Sequence, residues 1–216
     1  TNTNVDYFPN TNVIVDGNWH HIVITSDGTN STNGLKMYYD KAVVAQNTQT
    51  NSGTNPATQS LYIGSGETDN FFTGSIDHVA GFNYALLQDD VNSLYGNSTN
   101  GVGNPMTLTP KPKAYYPIGD HAAFNGSEYL VNNGALQDYN FAWNINYGSP
   151  GNYSAEVMVC ENNYNYNSGF TISLWHNPTD VSGNGFTAMT LFNNLSVDNN
   201  SGFSIGYSGA GYYLSV

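Results

Sequence analysis

The chain has 216 residues, 39% of them hydrophobic and 14% aromatic, so it can bury a sizeable core. Only 9% of the residues are charged, and four lysines, no arginine and sixteen carboxylates give a formal net charge of -12. This charge repels phosphate backbones and anionic lipid, so we expect no nucleic-acid partner and no membrane-surface binding.

Cysteine and targeting signals are sparse. Cys160 is the only cysteine, so we expect no intrachain disulfide and no cysteine metal site. The chain begins Thr-Asn-Thr-Asn and no apolar run reaches membrane length, so we expect neither a signal peptide nor membrane insertion.

A tight turn that leads into the longest strand signal organises the first half of the chain. Asp16-Gly17 offers a side-chain acceptor followed by a residue that tolerates positive φ. Residues 19–26 then alternate between two faces that are both apolar enough for a central strand. Trp19 shares a face with Val23, so we predict that Trp19 lies in the core.

Shorter strand signals flank this central strand and are separated by loops rich in Asn, Thr and Gly. They occupy residues 5–8, 13–15, 35–39, 42–45, 60–64 and 71–82. Asp40-Lys41 separates two of them and predicts a two-residue hairpin, and Gly74 is the expected position of a bulge. The apolar residues that follow are spaced as on one face of a helix, and they predict one short surface helix. These residues are Leu86, Leu87, Val91, Leu94 and Tyr95.

The composition changes after this helix. Residues 98–113 are rich in Gly, Asn, Thr and Pro and have no apolar periodicity, so we interpret them as a linker. Short strand signals with Gly and Asn between them then resume, at residues 114–120, 129–131, 138–143, 155–159, 170–175, 189–192, 203–207 and 212–216. This spacing predicts an all-β sandwich.

Several of these motifs resemble the laminin G-like, concanavalin A-like lectin/glucanase superfamily. Motifs that resemble the second half of such a domain are Asp-Gly-Asn-Trp-His-His-Ile-Val-Ile-Thr-Ser-Asp-Gly (16–28), Leu-Lys-Met-Tyr-Tyr-Asp (35–40), Leu-Tyr-Ile-Gly (61–64) and Phe-Thr-Gly-Ser-Ile-Asp-His-Val-Ala-Gly-Phe (72–82). Phe-Thr-Ile-Ser-Leu-Trp (170–175) and Gly-Tyr-Tyr-Leu-Ser-Val (211–216) resemble the first half. The resemblance implies a jelly-roll β-sandwich of two antiparallel sheets with one short surface helix.

The chain departs from that family in two ways. The family's helix usually begins with a capping Ser or Thr, whereas Leu87 stands at the matching position and should weaken that helix end by about 1 kcal/mol. The halves are also reversed, with the second half at 1–97, the linker at 98–113 and the first half at 114–216. The chain is therefore either one permuted domain or halves of successive tandem domains.

The reversed order leads to a specific strand pairing. If one chain closes on itself, residues 212–216 should pair antiparallel with residues 5–8. The alternative is the same pairing between chains, which would build a fibre in which each subunit completes the next. We favour closure within the chain because it leaves no unpaired edge.

Catalytic chemistry has little support in the sequence. A retaining glycosidase needs two carboxylates about 5 to 5.5 Å apart. Glu67 and Asp69 alternate as such a pair would, but Phe71 replaces the next carboxylate of the row, so we expect solvated loop acids. His20 and His21 are adjacent on a strand and point to opposite faces, so they cannot share a metal ion and are predicted to be structural.

Binding chemistry has more support. Tyrosines amid Asn, Ser and Gly suit sugar stacking and hydroxyl pairing, or else they cover a subunit contact or the linker. These tyrosines are Tyr147, Tyr153, Tyr164 and Tyr166. The resemblance also implies calcium held in rim loops. The candidate ligands, chosen by loop position, are Asp27, Asp69, Asp120 and Asp180.

The resemblance and these residues together predict a non-catalytic module that binds a glycan or a cell-surface polysaccharide, displayed outside a cell or on a virion. The alternative is an architectural repeat of a fibre or a capsid decoration that self-associates. A sandwich glycoside hydrolase is a distant third possibility.

Overall fold

The computed structural model describes residues 5–7, 15–29, 31–47, 61–64, 72–98, 101–117, 130–133, 136–137, 143–145, 157–160, 169–179, 188–193, 204–208 and 211–215. The strands within these ranges are β1 (Val5–Tyr7), β2 (His20–Ser26), β3 (Leu35–Tyr39), β4 (Ala42–Asn47), β5 (Leu61–Ile63), β6 (Gly74–Phe82), β7 (Ala114–Tyr116), β8 (Leu130–Asn133), β9 (Leu136–Gln137), β10 (Trp143–Ile145), β11 (Val157–Cys160), β12 (Phe170–Pro178), β13 (Ala188–Asn193), β14 (Ser204–Ser208) and β15 (Gly211–Ser215). The helices there are α1 (Gln88–Tyr95) and a 3-10 helix (Pro105–Thr107).

These strands form two antiparallel sheets. One sheet has the order β1-β15-β14-β13-β5-β11-β8. The other has the order β4-β3-β2-β12-β6-β10-β9, with β7 also paired to β6. The largest buried cluster takes side chains from both sheets, including Ile22 and Leu174 from one and Ile205 and Leu214 from the other. The predicted fold class, an all-β jelly-roll sandwich with one short helix, is confirmed.

Strands from the beginning and the end of the chain are interleaved in both sheets. β12 lies between β2 and β6, and its Ile172 is opposite Ile24 on one side and Gly81 on the other. β1 pairs antiparallel with β15, with Val5 opposite Ser215 and Tyr7 opposite Tyr213. The pairing expected between the first and last strand signals is therefore confirmed within the described residues.

The prediction of a central strand is also confirmed. All seven residues of β2 are buried. Ile22 and Ile24 join the cluster between the sheets, while Val23 points to the other side and packs in a second cluster with Val91 and Leu94 of α1. Helix α1 thus covers the outer face of the eight-stranded sheet, which explains why both faces of β2 are apolar.

A bulge interrupts β6, but it is not at the predicted position. Ser173 pairs with Ala80 and Trp175 with Asp77, so two residues of β6, including His78 at φ 49°, face one residue of β12. The prediction of a bulge at Gly74 was wrong. Gly74 begins the strand where β12 passes so closely that a Cβ there would lie 2.3 Å from the carbonyl oxygen of Asn177.

The predicted hairpin and helix are both present. Asp40 and Lys41 have φ values of 47° and 66°, so they form a tight two-residue turn despite the absence of glycine. Leu87 gives α1 no side-chain cap, as expected, but the carboxylate of Asp90 accepts the backbone N–H of Leu87 at 3.0 Å. Asp90 therefore supplies one of the two bonds of a capping box.

The segment after α1 is attached to the sandwich. The N–H of Gly103 donates to the carbonyl of Leu94 at 3.0 Å, and that of Lys113 donates to the carbonyl of Gly81 at 2.8 Å. The hydroxyl of Tyr84 donates to the carbonyl of Pro110. No helix in the described part of the chain is long and apolar enough to cross a membrane.

Candidate functional site

An exposed tryptophan stands on a rigid turn at one end of the eight-stranded sheet. Asp16 Oδ1 accepts the backbone N–H of Asn18 at 2.8 Å, and Gly17 has a φ of 80°. Such a side-chain-closed turn fixes the direction in which the next residue leaves. Trp19 follows it, and 38% of its surface is exposed.

The prediction that Trp19 lies in the core was wrong. The pairing of β2 with β12 ends at the pair of His20 and His176, so Trp19 lies beyond the last strand pair. Alternation places Trp19 on the same face as Val23, but burial requires that a neighbouring strand or helix reach that far. An exposed indole next to polar side chains is instead a surface that a ligand can contact.

His20 ties this turn to the hairpin between β3 and β4. Its Nδ1 lies 2.8 Å from Asp40 Oδ2 and its Nε2 lies 3.2 Å from Asp16 Oδ1. The other oxygen of Asp40 accepts the backbone N–H of His21 at 2.9 Å. The His20 ring also lies 4.8 Å from the ring of Tyr39. Through His20, the turn is therefore joined to Asp40 and Tyr39 at the hairpin.

Asp16 carries a negative charge in this arrangement. Hydrogen bonds from Asn18, first from its side chain and then from its backbone, lower the pKa of Asp16 below its usual value, with a further contribution from His20. The carboxylate thus stays ionised at neutral and mildly acidic pH.

Asn177 joins the turn to β12. Its Nδ2 donates to the carbonyl oxygen of Gly17 at 3.1 Å. Its Oδ1 is buried and has no hydrogen-bond partner among the residues that the structure describes, and the same is true of Oγ1 of Thr73 on the adjacent segment. Within the described residues, the end of the sheet beside the turn therefore holds buried oxygen atoms without a protein partner.

Two further histidines near this end of the sheet are structural. His176 is fully buried and its Nε2 lies 3.0 Å from the hydroxyl of Tyr212. Desolvation, with a smaller contribution from His20, lowers the pKa of His176 to about 3. A neutral imidazole at this position packs between the two sheets.

His21 occupies the outer face of the sheet. Its Nε2 lies 2.8 Å from Ser173 Oγ, and its ring stacks on Trp175 with centroids 5.0 Å apart. Desolvation, and then His78, lower the pKa of His21 to about 3. Ser173 and His21 are both buried, so this pair offers no open approach to a substrate. The prediction that His20 and His21 point to opposite faces is confirmed.

Most of the residues predicted to bind ligands are outside the described ranges. These are the tyrosines Tyr147, Tyr153, Tyr164 and Tyr166, the acids Asp69, Asp120 and Asp180, and Glu67 of the excluded catalytic pair. The geometry of the turn at residues 16–19 rests on none of them. The sequence predicted the turn at Asp16-Gly17 but neither the exposure of Trp19 nor the contacts of His20 with Asp16 and Asp40.

Asp27 is the one predicted calcium ligand that the structure describes. Its carboxylate accepts hydrogen bonds at 2.8 Å from the backbone and hydroxyl of Thr29 and from the hydroxyl of Ser31. Desolvation raises the pKa of Asp27, but these hydrogen bonds outweigh it and the pKa is lowered overall. Across the described ranges, His, Cys, Asp and Glu form no group of three or more that could hold a metal ion.

Comparison with protein families gives a match over the first part of the chain. Residues 1–92 match the Laminin_G_3 family model, described as the Concanavalin A-like lectin/glucanases superfamily. The resemblance seen in the sequence is confirmed over these residues, which include the turn at 16–19 and the first part of α1. Comparisons with curated proteins and with solved structures give no match.

Proposed function

Residues 1–92 belong to the concanavalin A-like lectin/glucanase superfamily, and from this premise we propose that the chain is a glycan-binding or adhesion module, displayed outside a cell or on a virion. Domains of the laminin G type are often carbohydrate-binding. The observation that carries the proposal is the exposed indole of Trp19 on its fixed turn. An aromatic face stacks on the apolar face of a sugar ring, and carboxylate and amide groups pair with its hydroxyls.

We propose that this module is non-catalytic, although the superfamily includes glycosidases. A glycosidase needs a carboxylic acid whose pKa is raised so that it can donate a proton. At the turn the pKa of Asp16 is lowered instead. Asp16 and Asp40 also both contact the His20 imidazole, which supports a role in positioning the turn.

A glycan array read with calcium and with a chelator tests the function. We expect saturable binding to a subset of glycans. Calcium bound in the rim loops remains part of the proposal. Loss of binding with the chelator would support the calcium site. Unchanged binding would contradict a role for calcium but would still agree with glycan binding at Trp19. An array without any saturable binding would contradict the proposed function.

An architectural role in a fibre or a capsid decoration is the second candidate, because of strand β4. β4 is at one end of its sheet in the described order and carries no charged residue, and Val43 and Val44 are exposed. Strand edges of this kind can pair with another chain. Mass photometry separates the two roles, since the architectural role requires concentration-dependent polymers and glycan binding does not.

We also propose that the two reversed halves form one permuted sandwich. The position of β12 between β2 and β6 supports this arrangement, because a strand after the linker completes a sheet begun before it. The tandem-array alternative would place those strands in different sandwiches.

A further inference from the structure

We propose that the Trp19 site accepts glycans without negative charge and discriminates against those that carry carboxylate or sulfate groups. This inference rests on the glycan-binding function proposed above and assigns the class of sugar to the same site. It follows from the charges around the turn, together with the distribution of cations over the chain.

Two carboxylates, those of Asp16 and Asp40, flank His20 at the turn. Asp16 closes the turn and Asp40 holds His20 from the other side, at 3.2 and 2.8 Å from the two ring nitrogens. The side chain of Asp16 is 39% exposed, so little protein separates its charge from a ligand bound over the turn. The chain as a whole carries a net charge of -12, which adds a repulsive background for anions.

The cations that could offset these carboxylates are few. The chain has four lysines and no arginine. Lys41 directly follows Asp40 in the chain, and its Nζ lies 5.0 Å from the ring centroid of Tyr95 on α1. Lys36 of β3 lies opposite Thr25 of β2 in the strand register, and Thr25 is near the end of β2 that is farther from His20. Lys111 and Lys113 follow the 3-10 helix, on the segment that is attached to α1 and β6.

A recognition site for sialic acid, uronic acid or sulfate normally contains an arginine or a lysine that pairs with the anion. Here a ligand anion over the turn would instead face the half-exposed carboxylate of Asp16. At a dielectric between those of protein and water, such a repulsion weakens binding by about tenfold. A neutral sugar keeps the stacking contact and the hydroxyl hydrogen bonds without this penalty.

Pairs of array glycans that differ only in a terminal sialic acid or sulfate test the inference. We expect the neutral member of each pair to bind about tenfold more tightly at low ionic strength. The difference should shrink at about 0.5 M NaCl, because salt screens exposed charges. Equal or tighter binding of the charged member would overturn the inference.

Two variants with the same change in net charge localise the effect. Asp16→Asn keeps a side-chain oxygen to accept the N–H of Asn18, and it should reduce the preference for neutral glycans severalfold. Asp89→Asn removes a charge from exposed Asp89 in the first turn of α1 and should leave the preference unchanged. Equal effects of the two variants would overturn the assignment to this turn.

The inference and the proposed function fail in different ways. If charged glycans bind as tightly as neutral ones and Trp19→Ala abolishes this binding, the charge preference is contradicted but the glycan site at Trp19 is supported. Absence of saturable binding to any glycan would remove both.

Discussion

Replacing Phe72 with alanine is expected to lower the free energy of unfolding by about 3 to 5 kcal/mol. Phe72 is fully buried between the sheets, with its ring 6.1 Å from that of His176 and 6.2 Å, edge to face, from that of Tyr207. Removing the ring leaves a cavity whose walls belong to both sheets, so neither can collapse into it alone.

Urea unfolding of the wild-type chain and of Phe72→Ala measures this loss. Leu87→Ala is the matched control, because Leu87 is 73% exposed and its truncation should change the stability by less than about 0.5 kcal/mol. A loss below about 1 kcal/mol for Phe72→Ala would contradict the packing of the sheets through this residue.

Lowering the pH from 7 to 5 is expected to reduce the stability of the fold by about 4 kcal/mol. His21 and His176 are both buried, and desolvation lowers the pKa of each to about 3. In the unfolded chain each histidine takes up a proton near pH 6.5, while in the folded chain each stays neutral until about pH 3. The unfolded state therefore binds more protons as the pH falls through this window, and each histidine contributes roughly half of the loss.

Urea unfolding at pH 7 and pH 5 tests this expectation, and His176→Phe identifies one contributor. The variant is expected to be less stable at pH 7, because the Tyr212 hydroxyl loses its contact with His176 Nε2. Its loss of stability between pH 7 and pH 5 should nevertheless be about half that of the wild type. Equal losses in the two proteins, or titration of His21 or His176 near pH 6.5 in the folded state, would contradict the burial of these rings.

Local signals in the sequence predicted the elements whose causes are local. The alternation of residues 19–26 identified β2 with both faces buried, and Asp40-Lys41 identified the hairpin. The spacing of Val91 and Leu94 identified α1 and its buried face. The sequence also places Asp90 three residues after Leu87, the spacing of a capping box. This spacing indicates how a hydrogen bond from the backbone of Leu87 to Asp90 partly replaces the missing side-chain cap.

Features that depend on distant strands could not be predicted in this way. The alternation of residues shows on which face of β2 Trp19 lies, but it does not show that the pairing of β2 with β12 ends at His20 and leaves Trp19 exposed. The bulge at His78 realigns β6 with the same strand, so that Val79 joins the core between the sheets and Ala80 joins the cluster under α1. Both features are set by β12, which follows more than 90 residues later in the chain.

Calorimetric titration of a neutral, array-positive glycan into the wild-type chain and into Trp19→Ala tests most directly whether the turn binds sugar. We predict about five- to tenfold weaker binding for Trp19→Ala, because stacking on an exposed indole contributes on the order of 1 kcal/mol. The melting temperature should change little, and Met106→Ala, which truncates another exposed apolar residue, should bind like the wild type. Wild-type affinity in Trp19→Ala would contradict a glycan site at this turn.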